Sequence, residues 1–175
     1  VDNLATVCQE TDTILLHIST DYVFDGRKKE GYRPEDQPNP INVYGKTKLE
    51  GERIIQQYLQ KFFIIRTSWL YSRKYGPNFY LTILKKAKAV EQLTVTNAQK
   101  GCPTDAANLA RHILELIKSG NRDFGISHFT DGEVKSWYGF AQQILKEHGL
   151  SDQVSLAKGG NYVTFAERPA NSILK

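Results

Sequence analysis

Methionine is missing from these 175 residues, and the first residue is Val1. Both facts lead to the expectation that a larger chain begins upstream. Cysteine occurs only twice, at Cys8 and Cys102. Neither has a Cys-x-x-Cys partner or a histidine at metal-ligand spacing, which argues against a zinc site. Both sit beside apolar residues, so buried reduced thiols are expected, a pattern that suits a cytoplasmic protein. Long apolar runs are lacking too. Phe62-Phe63-Ile64-Ile65 is typical of the longest, whereas a membrane span needs about 18–20 apolar residues. No segment shows the basic start, apolar middle and small-residue end of a secretion signal. Charge of one sign is scarce: 23 Lys and Arg against 19 Asp and Glu leave a net +4, with short clusters only at Arg27-Lys28-Lys29 and Lys85-Lys86. A face that tracks a phosphate backbone shows a denser stripe, so nucleic acid is not an expected partner. A small anionic ligand stays compatible.

What is present is an alternation. Val1, Leu4, Ala5, Val7 and Cys8 recur at helical spacing and predict the end of an amphipathic helix. Ile14-Leu15-Leu16-His17-Ile18 is a short apolar run of the kind that forms a strand buried on both faces of a parallel sheet. His17 inside it reads as a satisfied core histidine. A polar loop runs from Asp25 to Pro40, and a helix from about Asn42, a good N-cap, to Gln60. Phe62 to Arg66 predicts a second buried strand. Further helices are expected at 78–90, 106–119 and 136–148, the last two closed by Gly120 and Gly149, with strands at 93–96 and 125–130. Strand and helix alternate throughout, which predicts an α/β fold with a mostly parallel sheet.

In such a sheet ligands bind beyond the carboxyl ends of the strands. The first strand ends in Ser19-Thr20-Asp21-Tyr22 and the second in Arg66-Thr67-Ser68-Trp69; if the strands are neighbours, both clusters face one crevice. The helix between them carries Tyr44 and Lys48, four residues apart and so on one face. A nearby ammonium favours the phenolate, as does the positive end of the helix, because Tyr44 lies in the first turn. A phenol tuned this way can pass a proton to a carbonyl oxygen, which the Thr20 hydroxyl can hold. The pair alone is not specific: 9 Tyr and 15 Lys in 175 residues give about 0.8 such spacings by chance, and one is found. Thr20 can equally cap the following turn, Trp69 can pack in the core, and Arg168 can serve a surface ion pair.

The context adds specificity. Ser19-Thr20-Asp21-Tyr22-Val23-Phe24-Asp25-Gly26, Glu35-Asp36, Pro38-Asn39-Pro40 and Asn42-Val43-Tyr44-Gly45-Lys46-Thr47-Lys48-Leu49-Glu50-Gly51-Glu52 resemble dTDP-4-dehydrorhamnose reductases, within the extended short-chain dehydrogenase/reductase superfamily. So do Arg66-Thr67-Ser68-Trp69-Leu70-Tyr71, Asn78-Phe79, Gln99-x-Gly101-x-Pro103-Thr104 and Arg168-Pro169-Ala170-Asn171-Ser172. The resemblance runs through nearly the whole chain. It implies that Tyr44 donates the proton to the C4 carbonyl of a dTDP-linked keto sugar. Lys48 would lower its pKa and, with Tyr44, hold the nicotinamide ribose of NADPH or NADH, while Thr20 binds the reacting oxygen. Asp21, Trp69 and Asn78 would contact substrate, and Arg168 and Asn171 its nucleotide end. Some family members are magnesium-linked dimers. A homodimer is therefore open, but no residue set here carries a metal over.

The resemblance also implies a division. Residues 1–90 would be the C-terminal half of a partial Rossmann-type domain carrying the catalytic Tyr and Lys. Residues 91–175 would form mainly a small substrate-binding region, with segments returning to the sheet. The glycine-rich turn that cradles a dinucleotide pyrophosphate is absent from these residues. The sheet is thus expected to show an apolar edge, and the 175 residues by themselves to be inactive. Two positions depart from the family pattern: Ala98, where an acidic residue is usual, and the basic stretch Tyr71-Ser72-Arg73-Lys74-Tyr75. Two alternatives stand beside the reductase: a non-catalytic dinucleotide-binding regulatory subunit, and a related nucleotide-sugar epimerase or deoxyhexose synthase. Keeping Thr20, Tyr44 and Lys48 together argues against the first. The Asn42–Lys48 context argues against the second.

Overall fold

The computed structural model describes residues 1–160 and 164–175. In chain order, α1 (Asp2–Glu10) leads to β1 (Leu15–Thr20), a 3-10 turn (Asp21–Val23), α2 (Val43–Tyr58) and β2 (Phe62–Thr67). Then come β3 (Leu70–Tyr71), α3 (Phe79–Ala87), β4 (Gln92–Thr96), β5 (Lys100–Gly101) and β6 (Thr104–Asp105). They are followed by α4 (Ala106–Lys118), β7 (Gly125–His128), β8 (Lys135–Ser136), α5 (Trp137–Glu147) and β9 (Ser155–Gly159). Among the described residues no helix is long and apolar enough to cross a membrane, and no group of three or more His, Cys, Asp or Glu side chains is placed to hold a metal ion.

The central sheet has the order β1–β2–β7 with every pair parallel. Parallel neighbours cannot be joined by a tight turn, and α2 supplies the crossover from β1 to β2. The α/β class and parallel sheet expected from the alternation are what the chain adopts. The register pairs Thr20 with Thr67, so the polar ends of β1 and β2 lie side by side. One expectation needs correcting. The run at residues 14–18 reads as buried on both faces, yet only part of it is: Ile14, just before β1, and Ile18 are 36% and 41% exposed, and among the described residues β1 lies at the edge of the sheet. α1 packs on α2 and does not cover these residues, and its own Leu4 and Val7 are exposed. Cys102 is buried as expected, whereas Cys8 is only half-buried; neither is in a disulfide.

A second core lies beside the sheet. α3 and α5 pack with the parallel pair β4–β9 around Tyr80, Ile83, Leu93, Phe140 and Ile144. α3 precedes residue 90 and the other elements follow it, so this core joins the two segments expected to differ in role. β7, also from the later segment, sits in the central sheet.

α2 starts at Asn42 because the Asn42 side chain accepts a hydrogen bond from Gly45 N at 2.8 Å. Its Nδ2 donates to Glu167 O at 2.9 Å and so ties the helix start to the C-terminal segment. Gly45 is required, since a Cβ there would collide with the Tyr22 carbonyl.

Deeper in, Glu52 of α2 and Arg66 of β2 form a buried ion pair, 0% and 2% exposed, with Nη2 to Oε2 at 2.7 Å. Arg66 Nε also donates to Glu52 Oε1 at 3.0 Å, and the Ser19 hydroxyl donates to the same oxygen. Arg66 Nη1 donates to Pro34 O at 3.1 Å, which anchors the polar loop, and the guanidinium lies 5.1 Å from the Phe24 ring centre. Removing one member of such a pair strands a charge. Glu52→Gln is therefore expected to cost about 3–5 kcal/mol in urea unfolding, with part of the loss recovered when Arg66→Met is added. A loss below about 1 kcal/mol, the scale of an exposed pair, would contradict this account.

Candidate active site

A cavity of about 380 Å³ opens at the carboxyl ends of β1 and β2. Thr20 and Asp21 line it from the end of β1, Tyr44 and Lys48 from α2, and Trp69 from the turn after β2. Thr20 ends the strand and caps the 3-10 turn: its Oγ1 accepts from Tyr22 N at 3.2 Å and donates to Asp21 Oδ1 at 3.0 Å. Capping and facing the cavity are thus one role. Tyr44 stands in the first turn of α2 with 54% of its surface exposed, its ring edge-on to Tyr22 at 5.7 Å. Lys48, one turn on, donates to Ile18 O at 2.7 Å and lies 3.3 Å from His17 Nε2. Burial lowers the Lys48 pKa, partly offset by Glu52. His17, expected as a satisfied core residue, is half-buried beside this ammonium, and its pKa is lowered by burial first and by Lys48 second.

Trp69 follows β2 in a left-handed backbone conformation, φ 47°, which a bulky residue adopts only when its surroundings hold it there. The Trp137 indole stacks parallel on it, with ring centres 3.6 Å apart and planes 1° apart. Gly101 makes room, since a Cβ there would fall 2.5 Å from the Trp69 ring. The stack leaves at most one face of Trp69 for a ligand. Arg168 is exposed and lines both this cavity and a larger one of about 890 Å³ between α3, β4 and the C-terminal segment. Its charge reaches Tyr22, whose pKa is raised chiefly by burial and pulled down by Arg168.

Two expected contact residues lie outside this lining. Asn78 caps α3: its Oδ1 accepts from Leu81 N at 3.1 Å and its Nδ2 donates to Ser72 O at 3.0 Å. Asn171 donates through Nδ2 to Lys28 O and through its backbone to Gly26 O, which docks the C-terminal segment on the polar loop. Both amides hold backbone. Tyr22, part of the cluster expected to face the crevice, lines the cavity, and so does Trp137, which lies outside those clusters. A signal for Trp137 lay in Gln99-x-Gly101: Gln99 Oε1 accepts from Trp137 Nε1 at 2.9 Å, and Gly101 seats the partner indole.

Thr20, Tyr44 and Lys48 therefore meet at one cavity. The profile of the RmlD substrate binding domain family matches residues 1–175. The chain belongs to this family. A dTDP-4-dehydrorhamnose reductase of Aggregatibacter actinomycetemcomitans is 40% identical, over 99% of this chain and 62% of that protein. The crystal structure of a dTDP-4-dehydrorhamnose reductase from Bacillus anthracis, in complex with NADP, superposes with a TM-score of 0.93 at 36% identity, covering 99% of this chain and 61% of that one. A Clostridium acetobutylicum ortholog gives 0.92 at 37%, with the same coverage. The chain spans less than two thirds of the length of these RmlD-family relatives.

Within this RmlD-family site the strongest electrostatic perturbation is at Asp21. It is 2% exposed, and its Oδ2 has no well-formed hydrogen bond among the described residues. Burial pushes its pKa up to about 7, with the Ser172 and Thr20 hydroxyls pulling the other way. Between its ordinary value of 3.8 and about 7, the folded chain keeps a proton that the unfolded chain has released. The stability contributed by the neutral acid is full below the ordinary carboxylate range and is lost as pH rises through 7. Asp21→Asn removes that dependence. Relative to the parent, it is expected to gain on the order of 2–3 kcal/mol between about pH 5 and about pH 8, measured by chemical denaturation at each pH. An unchanged gap between variant and parent would mean that Asp21 is not a buried neutral acid.

Proposed function

We propose that this chain carries the catalytic and substrate-binding part of a nicotinamide-dependent reductase acting on dTDP-4-dehydrorhamnose to give dTDP-rhamnose. One observation carries the reading: Thr20, Tyr44 and Lys48, from two elements, line a single cavity at the carboxyl ends of β1 and β2. That cavity takes the keto sugar. The Tyr44 phenol gives its proton to the C4 carbonyl oxygen, and the Thr20 hydroxyl orients that oxygen. Lys48, pinned on the Ile18 carbonyl, keeps a positive charge near the phenolate left behind. The larger neighbouring cavity takes the nucleotide, with Arg168 beside the diphosphate. Asp21 and Trp69 border the sugar, and Asn78 and Asn171 support the walls.

An exposed phenol with an anchored ammonium one turn away fits the ribose diol of NADPH or NADH, and Tyr44 and Lys48 would hold it there. When bound, that cofactor supplies the hydride to the carbonyl carbon. No glycine-rich phosphate cradle is present in the 175 residues, so by themselves they are expected to oxidise no NADPH. On this reading residues 1–90 contribute the proton donor, and residues 91–175 mainly the substrate side. The two thiols outside any disulfide agree with a cytoplasmic location, and a homodimer is compatible.

The test uses the full-length protein and the keto sugar, with NADPH absorbance as the readout. Tyr44→Phe is expected to lower turnover by about 10²–10⁴-fold while NADPH binding, followed by fluorescence, is kept. Near-normal turnover in that variant would remove Tyr44 as the proton donor. A parent that binds NADPH but turns over no sugar nucleotide would favour the non-catalytic regulatory subunit instead.

A further inference from the structure

The sequence has only two tryptophans, and the fold brings them face to face from residues 68 positions apart. Each indole is fixed from outside the stack. Trp69 is held by its backbone conformation and the close approach of Gly101. Trp137 is held by the hydrogen bond from its Nε1 to Gln99 Oε1 at 2.9 Å, and by Phe79, whose ring centre is 4.6 Å away and tilted by 49°. Trp137 stands at the first position of α5, after the N-cap Ser136, whose Oγ accepts from Gly139 N and donates to Asn97 Oδ1. Both polar anchors, Gln99 and Asn97, come from the strand-to-strand link after β4. The link, the helix start and the indole pair are therefore one rigid unit.

The position of this unit matters more than its stability. Trp137 lines the small cavity that holds Thr20, Tyr44 and Lys48, and it also lines the large one; Arg168 is the other residue common to both. The two cavities thus meet at an aromatic wall with a guanidinium beside it. A ligand that fills both passes this wall beside the Arg168 guanidinium, which favours a negatively charged linker there.

We propose that Trp137, held by Gln99, is a positioning and specificity-determining residue: it fixes the plane of Trp69 and forms the partition between a sugar compartment and a nucleotide compartment. This rests on the reductase reading given above. The partition admits a diphosphate link between the two ends of the ligand and aligns the sugar against Tyr44. A nucleotide without a sugar engages only the larger compartment, and so depends on Trp137 less.

The experiment again uses the full-length protein. The wild-type minus Trp137→Phe difference in far-ultraviolet circular dichroism is expected to show the couplet of two stacked indoles. With the sugar nucleotide as substrate, Trp137→Ala is expected to raise KM about tenfold, a larger effect than on kcat, with Trp137→Phe recovering most of it because a stacking ring is kept. Binding of thymidine diphosphate alone, by calorimetry, should weaken less than about threefold. Gln99→Leu keeps the indole but removes its anchor; it should weaken the couplet and shift KM in the same direction, and it serves if Trp137→Ala fails to fold. The inference is overturned if Trp137→Ala, or Gln99→Leu in its place, leaves KM for the sugar nucleotide within twofold of the parent. That result would leave the Tyr44 test untouched. If the parent neither turns over the sugar nucleotide nor binds thymidine diphosphate, the reductase reading itself fails and this inference with it.

Discussion

A carboxylate and a guanidinium removed from water can be accommodated only as partners, and here the partners stand on neighbouring elements. Glu52 lies on α2 and Arg66 on β2, and the remaining bonds of the pair go to Ser19 on β1 and to the Pro34 carbonyl in the polar loop. A slip of one residue in any of these elements would separate the charges or expose one of them to an apolar neighbour. The pair therefore fixes how α2 sits along β1 and β2. Tyr44 and Lys48 precede Glu52 on the same helix, so their height above the strand ends follows from it. Lys48 lies one turn before Glu52, and its ammonium reaches the Ile18 carbonyl on the strand that bears Ser19. The end of the cavity lined by Tyr44 and Lys48 is held by an ion pair that is not itself part of the lining.

The electrostatics of the cavity follow from the same arrangement. Lys48 and Arg168 both bring positive charge to its lining, while Asp21 is buried deeply enough to stay largely neutral below about pH 7. Thr20 donates its hydroxyl hydrogen to Asp21 in this structure. For that hydroxyl to hold a carbonyl oxygen, it must turn from one acceptor to the other. An ionised Asp21 competes for the hydrogen more strongly than a neutral one, since a charged acceptor forms the stronger bond. The burial that raises the Asp21 pKa would thus also leave the Thr20 hydroxyl freer to turn. Burial of one acid thus acts on its neighbour through the hydrogen bond between them.

Much of this was legible in the sequence, and the reasons differ by element. Helices with a side-chain cap and an apolar stripe read well: Asn42 caps α2, and the segments expected at 106–119 and 136–148 became Ala106–Lys118 and Trp137–Glu147. Their signals are local. The two-residue strands β3, β5, β6 and β8 left no local signal, because such bridges exist only through partners far along the chain. β9 was missed for the same reason: Ser155–Gly159 contains Gly and Lys, and its strand character comes from pairing with β4. The burial of β1 was misjudged because an apolar run reports what a strand can bury, while its actual neighbours are set by the sheet. At the site, Thr20, Tyr44 and Lys48 were found through motif context, not through chance-level spacing. Asn78 and Asn171 share the same kind of context, and their amides hold a helix start and a loop.

That last contrast bears on what a motif means. Asn42, Asn78, Gln99, Gly101 and Asn171 all belong to the stretches that carry the family resemblance, yet each acts on protein. Asn42 joins α2 to the Glu167 carbonyl, Gln99 fixes an indole, Gly101 vacates space for another, and Asn171 pins the C-terminal segment to the polar loop. Each bond joins segments distant in sequence, and the cavity is walled by those same segments. A site assembled from five separate stretches has no single element rigid enough to define it. Its geometry must come from bonds between the stretches, and each of those bonds needs a residue type with a fixed reach and a fixed donor or acceptor. The residues around a dispersed site are therefore constrained as tightly by assembly as the few at its centre are by chemistry.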